Sequence, residues 1–357
     1  MYDYTKSNKR DEVLKAILEL ILETFRLLEN GSSFGKEKRT MLSNDNTSLV
    51  PKSSFDGPIL AIDVPALLIG VAEYEEGPTG CTVFFFPQGA TAAIDIRGGS
   101  PGVSGGYETM HAICLAGGSL YGLEAAVGVT VELFAQGGYP PDKKSFPLVN
   151  GAIIYDYSLR NNAIYPDKTL GQVALRSAKP GSFPLGARGA GRSATVGKGF
   201  DFAECETAGQ GGAFRQVGPT KIAVFTVVNA SGVIVNRQGQ VVRGNFDRKT
   251  EKRHHLIDDL ERRLARLENL EPLYGNTTLT VIVTNQKLDP QNLSQVGKQV
   301  HCSMARAIQP FHTVNDGDVL YAVTTNEVEH TTLNATAIGL LASELAWDAV
   351  LNSFQET

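Results

Sequence analysis

Asn276-Thr277-Thr278-Leu279-Thr280-Val281-Ile282-Val283-Thr284 is the stretch on which the fold turns. Its β-branched run from Thr278 to Thr284 predicts a strand. Just before it, Glu271-Pro272-Leu273-Tyr274-Gly275-Asn276 carries two breakers, so the strand starts abruptly. Just after it, Asp289-Pro290 supplies an N-cap and a proline at the first helical position. Leu293, Val296, Val300 and Met304 then recur at helical spacing. The turn Asn315-Asp316-Gly317-Asp318 leads into a second strand, Val319 to Thr325, and Asn334 caps a last helix carrying Ile338, Leu341, Leu345 and Trp347. Strand, helix, strand, helix over residues 277–357 is half of a layered α/β structure.

Upstream, Leu67 to Ala72 and Cys81 to Phe86 predict strands joined through Glu76-Gly77-Pro78-Thr79-Gly80. Ala152 to Tyr157, Ile222 to Val228 and Val233 to Val235 predict three more, and a helix opens near Ser119 after Gly117-Gly118. Residues 247–271 crowd charge around a few leucines and predict an exposed helix or loop. Residues 29–55 are polar and punctuated, the composition of a solvated linker. Val13 to Leu28 is apolar but broken by Lys15, Glu19, Glu23 and Arg26, which excludes a signal peptide or a membrane span and predicts an amphipathic helix over 11–29. The expected organisation is therefore an N-terminal extension over 1–55 followed by the globular part, in a soluble, cytoplasmic protein without a membrane partner.

Composition narrows the function. The 357 residues carry 33 Lys and Arg against 38 Asp and Glu, a net of −5, with no long basic run, which argues against a nucleic-acid partner. The four cysteines are widely spaced without a CxxC pair, which excludes a zinc ribbon and a thioredoxin motif. The six histidines lack HExxH spacing, so no metal site is expected. Gly189 to Ala194 fits GxGxxA, but no strand precedes it, and Gly199 stands where a phosphate loop needs Ser or Thr. Close backbone approach explains these glycines better, while Lys198 among them is a lysine that can be held near a reaction centre.

Thr277 invites a sharper reading. Were the Asn276–Thr277 bond cut, Thr277 would carry a hydroxyl and a free α-amine, and an amine with a reference pKa of about 7.7–8.0 can serve as general base to that hydroxyl. Asp316 and Asp318 could orient the ammonium; by spacing alone they equally fit an Asp-Gly hairpin turn or a weak cation loop.

Longer blocks carry a resemblance. Gly275-Asn276-Thr277-Thr278, Ile308-Gln309-Pro310-Phe311-His312-Thr313, Asp316-Gly317-Asp318 and Asn334-Ala335-Thr336-Ala337 resemble the nylon-oligomer hydrolases, the 6-aminohexanoate-oligomer endo-hydrolases. So do Tyr74 to Gly80, His111 to Gly118 and Tyr165 to Lys168. The likeness runs from about Pro58 to the C-terminus, and Thr278 to Phe354 is similar to the small subunit of those enzymes. More broadly the chain resembles the L-aminopeptidase D-amidase/esterases and β-aminopeptidases, which are N-terminal-nucleophile enzymes.

The resemblance implies a four-layer αββα sandwich and self-cleavage behind Asn276. A large subunit (56–276) and a small one (277–357) would form one domain, and such heterodimers would assemble into homo-oligomers, a tetramer by the family pattern. It implies Thr277 as nucleophile, Asp316 and Asp318 as the acids that position the new amine, Asn229 and Tyr155 as oxyanion donors, and Lys198 as a charge orienting the nucleophile. Alternatives remain open: Tyr155 as a strand core residue, and Asn229-Ala230-Ser231-Gly232 as a plain turn. No metal or organic cofactor is required. The aminopeptidase branch generally has serine at the nucleophile position, so threonine with the Asp pair favours hydrolysis of linear aliphatic amides. Aminopeptidase action on short peptides or β-peptides is the second reading, and an unprocessed binding or assembly protein the third.

Overall fold

The computed structural model describes residues 40–142, 145–268, 270, 275–329 and 333–355; the helix expected over 11–29 lies outside them. Nine strands make the main sheet. In chain order they are β1 (Leu68–Tyr74), β2 (Thr79–Ile96), β3 (Val103–Ser104), β4 (Thr109–Ala116), β5 (Val149–Ile153), β6 (Gln210–Val217), β7 (Thr220–Asn229), β8 (Thr277–Gln286) and β9 (Val319–Val328). Among the described residues five α-helices accompany them: α1 (Leu123–Gln136), α2 (Lys168–Arg176), α3 (Leu256–Ala265), α4 (Pro290–Ser303) and α5 (Ala335–Leu351).

Every residue of β8 is buried, its polar threonines, Asn285 and Gln286 included. Antiparallel β7 flanks it on one side, with Asn229 opposite Thr277, and parallel β9 on the other, with Val319 opposite Leu279. A parallel pair needs a long crossover, and α4 provides it. Its start was legible in advance: Asp289 accepts from Asn292 N–H ahead of Pro290. Asn334 likewise caps α5, accepting from Ala337 N–H.

Strand β2 turns one sheet into two layers. Its second half pairs with β9, its first half with β1, and the pairing with β4 slips between Phe85 and Ala90. Beyond that slip the sheet doubles back. Phe84 of β2 lies 5.1 Å, ring to ring, from Phe225 of β7, and Thr82 donates to Gln210 of β6 at 2.7 Å. Strands remote in the pairing order are therefore face to face.

Alternation along the strands fills three cores. Leu279, Val281 and Val283 of β8 meet Phe84, Ile113, Phe225 and Tyr321 between the layers. Ile282, Val224 and Leu320 face outward onto Leu293, Val296 and Val300 of α4 and Ile338, Ala342 and Leu345 of α5. On the opposite outer face Ala72, Val83 and Cys114 meet Ala125 and Val129 of α1 and Leu170 and Ala174 of α2. Helices, sheet, sheet, helices is the expected four-layer αββα sandwich.

Three local expectations change. Residues 42–55 are not wholly a solvated linker: Lys52 exchanges main-chain bonds with Glu73, Asn44 bonds Tyr165 and Asp167, and Leu49 and Phe55 pack onto the cores. The strand expected over Ala152–Tyr157 ends at Ile153, because Asp156 is used to accept from Thr79, Gly118 and Arg160. Within the charged 247–271 stretch, α3 is exposed along most of its length but anchored at its start, where Leu256 packs on Val233 and Val235.

Candidate active site

Thr277 is the first residue of β8, at the mouth of the space between the two sheet layers. It is 4% exposed. Its Oγ1 donates to the carbonyl oxygen of Asn276 at 2.5 Å, and the main-chain N–H of Gly317 donates to that same oxygen at 2.8 Å. Two donors thus converge on the carbonyl between Asn276 and Thr277. Gly317 admits no side chain here, since a Cβ would stand 2.7 Å from both Thr277 Oγ1 and Ser100 O. Gly275 has a φ of 85°, and a Cβ on it would strike the Tyr155 ring at 2.5 Å.

The Asp-Gly-Asp turn runs alongside the cleft, bridged to the chain at Asn276↔Asp316. Asp316 Oδ2 accepts from Thr313 N–H at 2.7 Å, while its buried Oδ1 has no hydrogen-bond partner. Asp318 is fully buried. Its Oδ1 accepts from Thr278 N–H at 2.6 Å, and its Oδ2 from the N–H and Nδ1 of His312 at 3.1 and 2.9 Å. Burial, and then the charge of Asp318, push the Asp316 carboxyl above the usual carboxylate range.

Lys198 comes from the glycine-rich stretch and is fully buried. Its Nζ donates to Asn229 O and Oδ1, both at 2.9 Å. Burial pulls its pKa down from 10.5 to about 7, against the opposing pull of Asp316. Asn229 closes β7 directly across from Thr277; its Nδ2 donates to Tyr155 O at 2.9 Å and to Gly275 O at 3.2 Å. Tyr155 is no core residue. Its ring is 37% exposed and lines a cavity of about 330 Å³ with Ser100, Leu120, Ile153, Asn276 and Thr277.

The six residues singled out in the sequence thus stand around one carbonyl and one cleft. Asn229 is not merely part of a turn, and the Asp pair serves the chain at Asn276 and Thr278. Sequence reasoning missed Gly317, whose N–H does what no side-chain pattern announces, and His312, set aside as structural. The place of His312 in the Ile308–Thr313 block that carries the resemblance was the available signal.

The arrangement is a hydroxyl against a polarised carbonyl, with buried carboxylates and a lysine that titrates near neutrality. Groups tuned this way by burial and charge are a hallmark of catalytic sites. The sequence pattern of peptidase family S58 matches residues 60–356. The chain belongs to peptidase family S58. As a member it is a hydrolase of amide bonds.

Among relatives of this S58 chain is the 6-aminohexanoate-oligomer endohydrolase of Agromyces sp., 49% identical over 322 residues, which are 87% of this chain and 90% of that one. The enzyme of the same name from Paenarthrobacter ureafaciens is equally similar, at 49% over 322 residues. An uncharacterized aminopeptidase of Mycobacterium leprae is 32% identical over 278 residues, 71% of this chain and 72% of that one. Two solved structures share the fold. The L-aminopeptidase D-Ala-esterase/amidase of Ochrobactrum anthropi, described as a variant of the Ntn-hydrolase fold, superposes with a TM-score of 0.60 at 16% identity, over 84% of this chain and 88% of that one. A β-aminopeptidase from Burkholderia sp. does so at 0.58 and 14%, over 83% and 88%. No helix among the described residues is long and apolar enough to cross a membrane.

Proposed function

We propose that the protein is a self-processing amidase with Thr277 as its N-terminal nucleophile, acting on linear aliphatic amides such as 6-aminohexanoate oligomers. The observation that carries this is the convergence of Thr277 Oγ1 and Gly317 N–H on the carbonyl oxygen of Asn276. In the precursor, Oγ1 attacks the Asn276 carbonyl carbon and its proton passes to the departing nitrogen of Thr277. The C–N bond breaks, an ester to Oγ1 replaces it, and water then hydrolyses that ester. A carboxylate is left on Asn276 and an α-amine on Thr277. Gly317 N–H supports the negative oxygen during the attack.

In turnover the α-amine takes the Oγ1 proton as the hydroxyl attacks the substrate carbonyl, and returns it to the leaving amine. Water cleaves the resulting acyl-enzyme ester by the same route. Asp318 and Asp316 hold the amine in place. Once Gly275 withdraws with the released end, the Asn229 Nδ2 donor that it occupied becomes available to the substrate oxyanion. Lys198, titrating near 7, fixes Asn229 and sets the charge balance of the Asp pair. Tyr155 walls the cleft beside the substrate. Neither metal nor organic cofactor enters these steps. The substrate class rests on the 49%-identical relatives named for oligomer hydrolysis. By the family pattern, the working form is a homo-oligomer, a tetramer of the 56–276 and 277–357 pairs.

The test is a linear 6-aminohexanoate oligomer offered with its amino end free and with that end acylated. Cleavage of both supports the endo-acting amidase. Cleavage of the free-amine form alone gives the aminopeptidase reading instead.

A further inference from the structure

The geometry points to His312 as a positioning residue that fixes the orientation of Asp318, with His301 and Asp95 as its buttress. The inference rests on the reading that Asp318 holds the α-amine of Thr277.

Both polar groups that His312 can offer on one side, its main-chain N–H and its Nδ1, reach a single oxygen, Asp318 Oδ2, at 3.1 and 2.9 Å. That pins the carboxylate plane. The other oxygen, Oδ1, is left toward Thr278 N–H, one residue from the nucleophile. Because Asp318 accepts on both oxygens, Nδ1 of His312 carries a proton. The backbone is bent to make this possible: His312 has a φ of 60°, a left-handed conformation that a residue with a Cβ adopts only when its surroundings demand it.

The ring has no freedom to leave. Phe311 lies 3.9 Å from it, centroid to centroid, and His301 packs edge-on at 4.3 Å. His301 is itself fully buried on α4, and its Nδ1 meets Asp95 Oδ2 at 2.9 Å. Asp95 also takes Arg97 at 2.5 Å. Burial alone would raise the Asp95 pKa, yet the bonds from His301 and Arg97 hold it at about 2, so this anchor stays ionised. A line of packed groups therefore runs from the surface pair Arg97–Asp95 through His301 and His312 to Asp318. Nothing in the self-cleavage or turnover steps uses His312, His301 or Asp95 directly, so the full burial of His301 is otherwise unexplained.

The charged and titratable groups facing Asp318 are Asp316 on the same turn, His312, and His301 from α4, with Lys198 beyond Asp316.

His312→Ala and His312→Asn in the full chain test this. Asn keeps an N–H donor on a short side chain and tolerates positive φ. His312→Ala is expected to lower kcat on a linear 6-aminohexanoate oligomer, and the rate of self-cleavage, about 10- to 100-fold, with KM changed less than about twofold. His312→Asn restores most of the rate. A wild-type rate in His312→Ala overturns the inference. So does an equal loss of rate and melting temperature in both variants, which would make His312 a packing residue only. Activity surviving Thr277→Ala would instead remove the underlying reading, and this inference with it.

Discussion

The two ends of β8 are both buried and both polar, yet they are built on opposite terms. At the far end, Thr284, Asn285 and Gln286 meet Thr220 and Thr324 in a network of neutral groups. Thr220 donates to Gln286 Oε1 at 2.8 Å, Asn285 bonds Lys221 N–H and Pro219 O, Gln286 Nε2 reaches Leu333 O, and Thr324 donates to Gln286 O at 2.7 Å. None of these side chains leaves a buried polar atom without a partner. At the near end, charged groups replace neutral ones, and Thr278 Oγ1, Thr195 Oγ1, Asp316 Oδ1 and His312 Nε2 are buried without partners. Buried charge together with unmet polar atoms costs stability, and their meeting at one end of one strand points to chemistry there rather than to packing.

Paired substitutions at the two ends sharpen the contrast. Thr277→Ala should abolish self-cleavage and lower amide hydrolysis by at least about 10⁴-fold, whereas Thr284→Val should leave both intact while urea titration shows a loss of about 1 kcal/mol. If Thr284→Val also inactivates, the two ends do not differ as described. One step down, Asp318→Asn should cost about 10²- to 10³-fold in kcat. Its counterpart Gln286→Leu strands Thr220 and should cost about 1–3 kcal/mol of stability with kcat within about twofold.

Lys198 gives a pH effect on stability with a definite sign. Its pKa is about 7 in the folded chain against 10.5 for an ordinary lysine. Between those values the unfolded chain binds more protons, so stability climbs as pH rises from 7 toward 10.5. Lys198→Met should flatten that climb by on the order of 3 kcal/mol, read as the difference in unfolding free energy between pH 6 and pH 10. An unchanged slope would mean that the lysine is not held in a desolvated site.

What the sequence made legible was local. The β8 run, the Asp289-Pro290 cap and the Asn334 cap each follow from residues a few positions apart, and the structure has them where the pattern put them. The αββα layering came through the family likeness, because nothing local says that β2 folds the sheet over at the slip between Phe85 and Ala90. The site was half visible. Side chains with obvious chemistry, Thr277, Asp316, Asp318 and Lys198, could be named in advance. Their meeting depends on long-range register, such as Asn229 opposite Thr277. Gly317 acts through its main chain and His312 through a left-handed turn, and neither leaves a residue-type signature. The docking of residues 42–55 was hidden for a related reason: Asn44 and Lys52 look solvated until their partners, Tyr165 and Glu73, are seen.

Intact-mass analysis of freshly purified wild-type protein and of Thr277→Ala tests the central claim most directly. The account predicts that the wild type divides into two pieces, the smaller beginning at Thr277 and weighing about 9 kDa, the share that 81 of 357 residues take of 38.3 kDa. Thr277→Ala should stay whole at 38.3 kDa and inactive. A fully active wild-type enzyme found as a single uncut chain would contradict it.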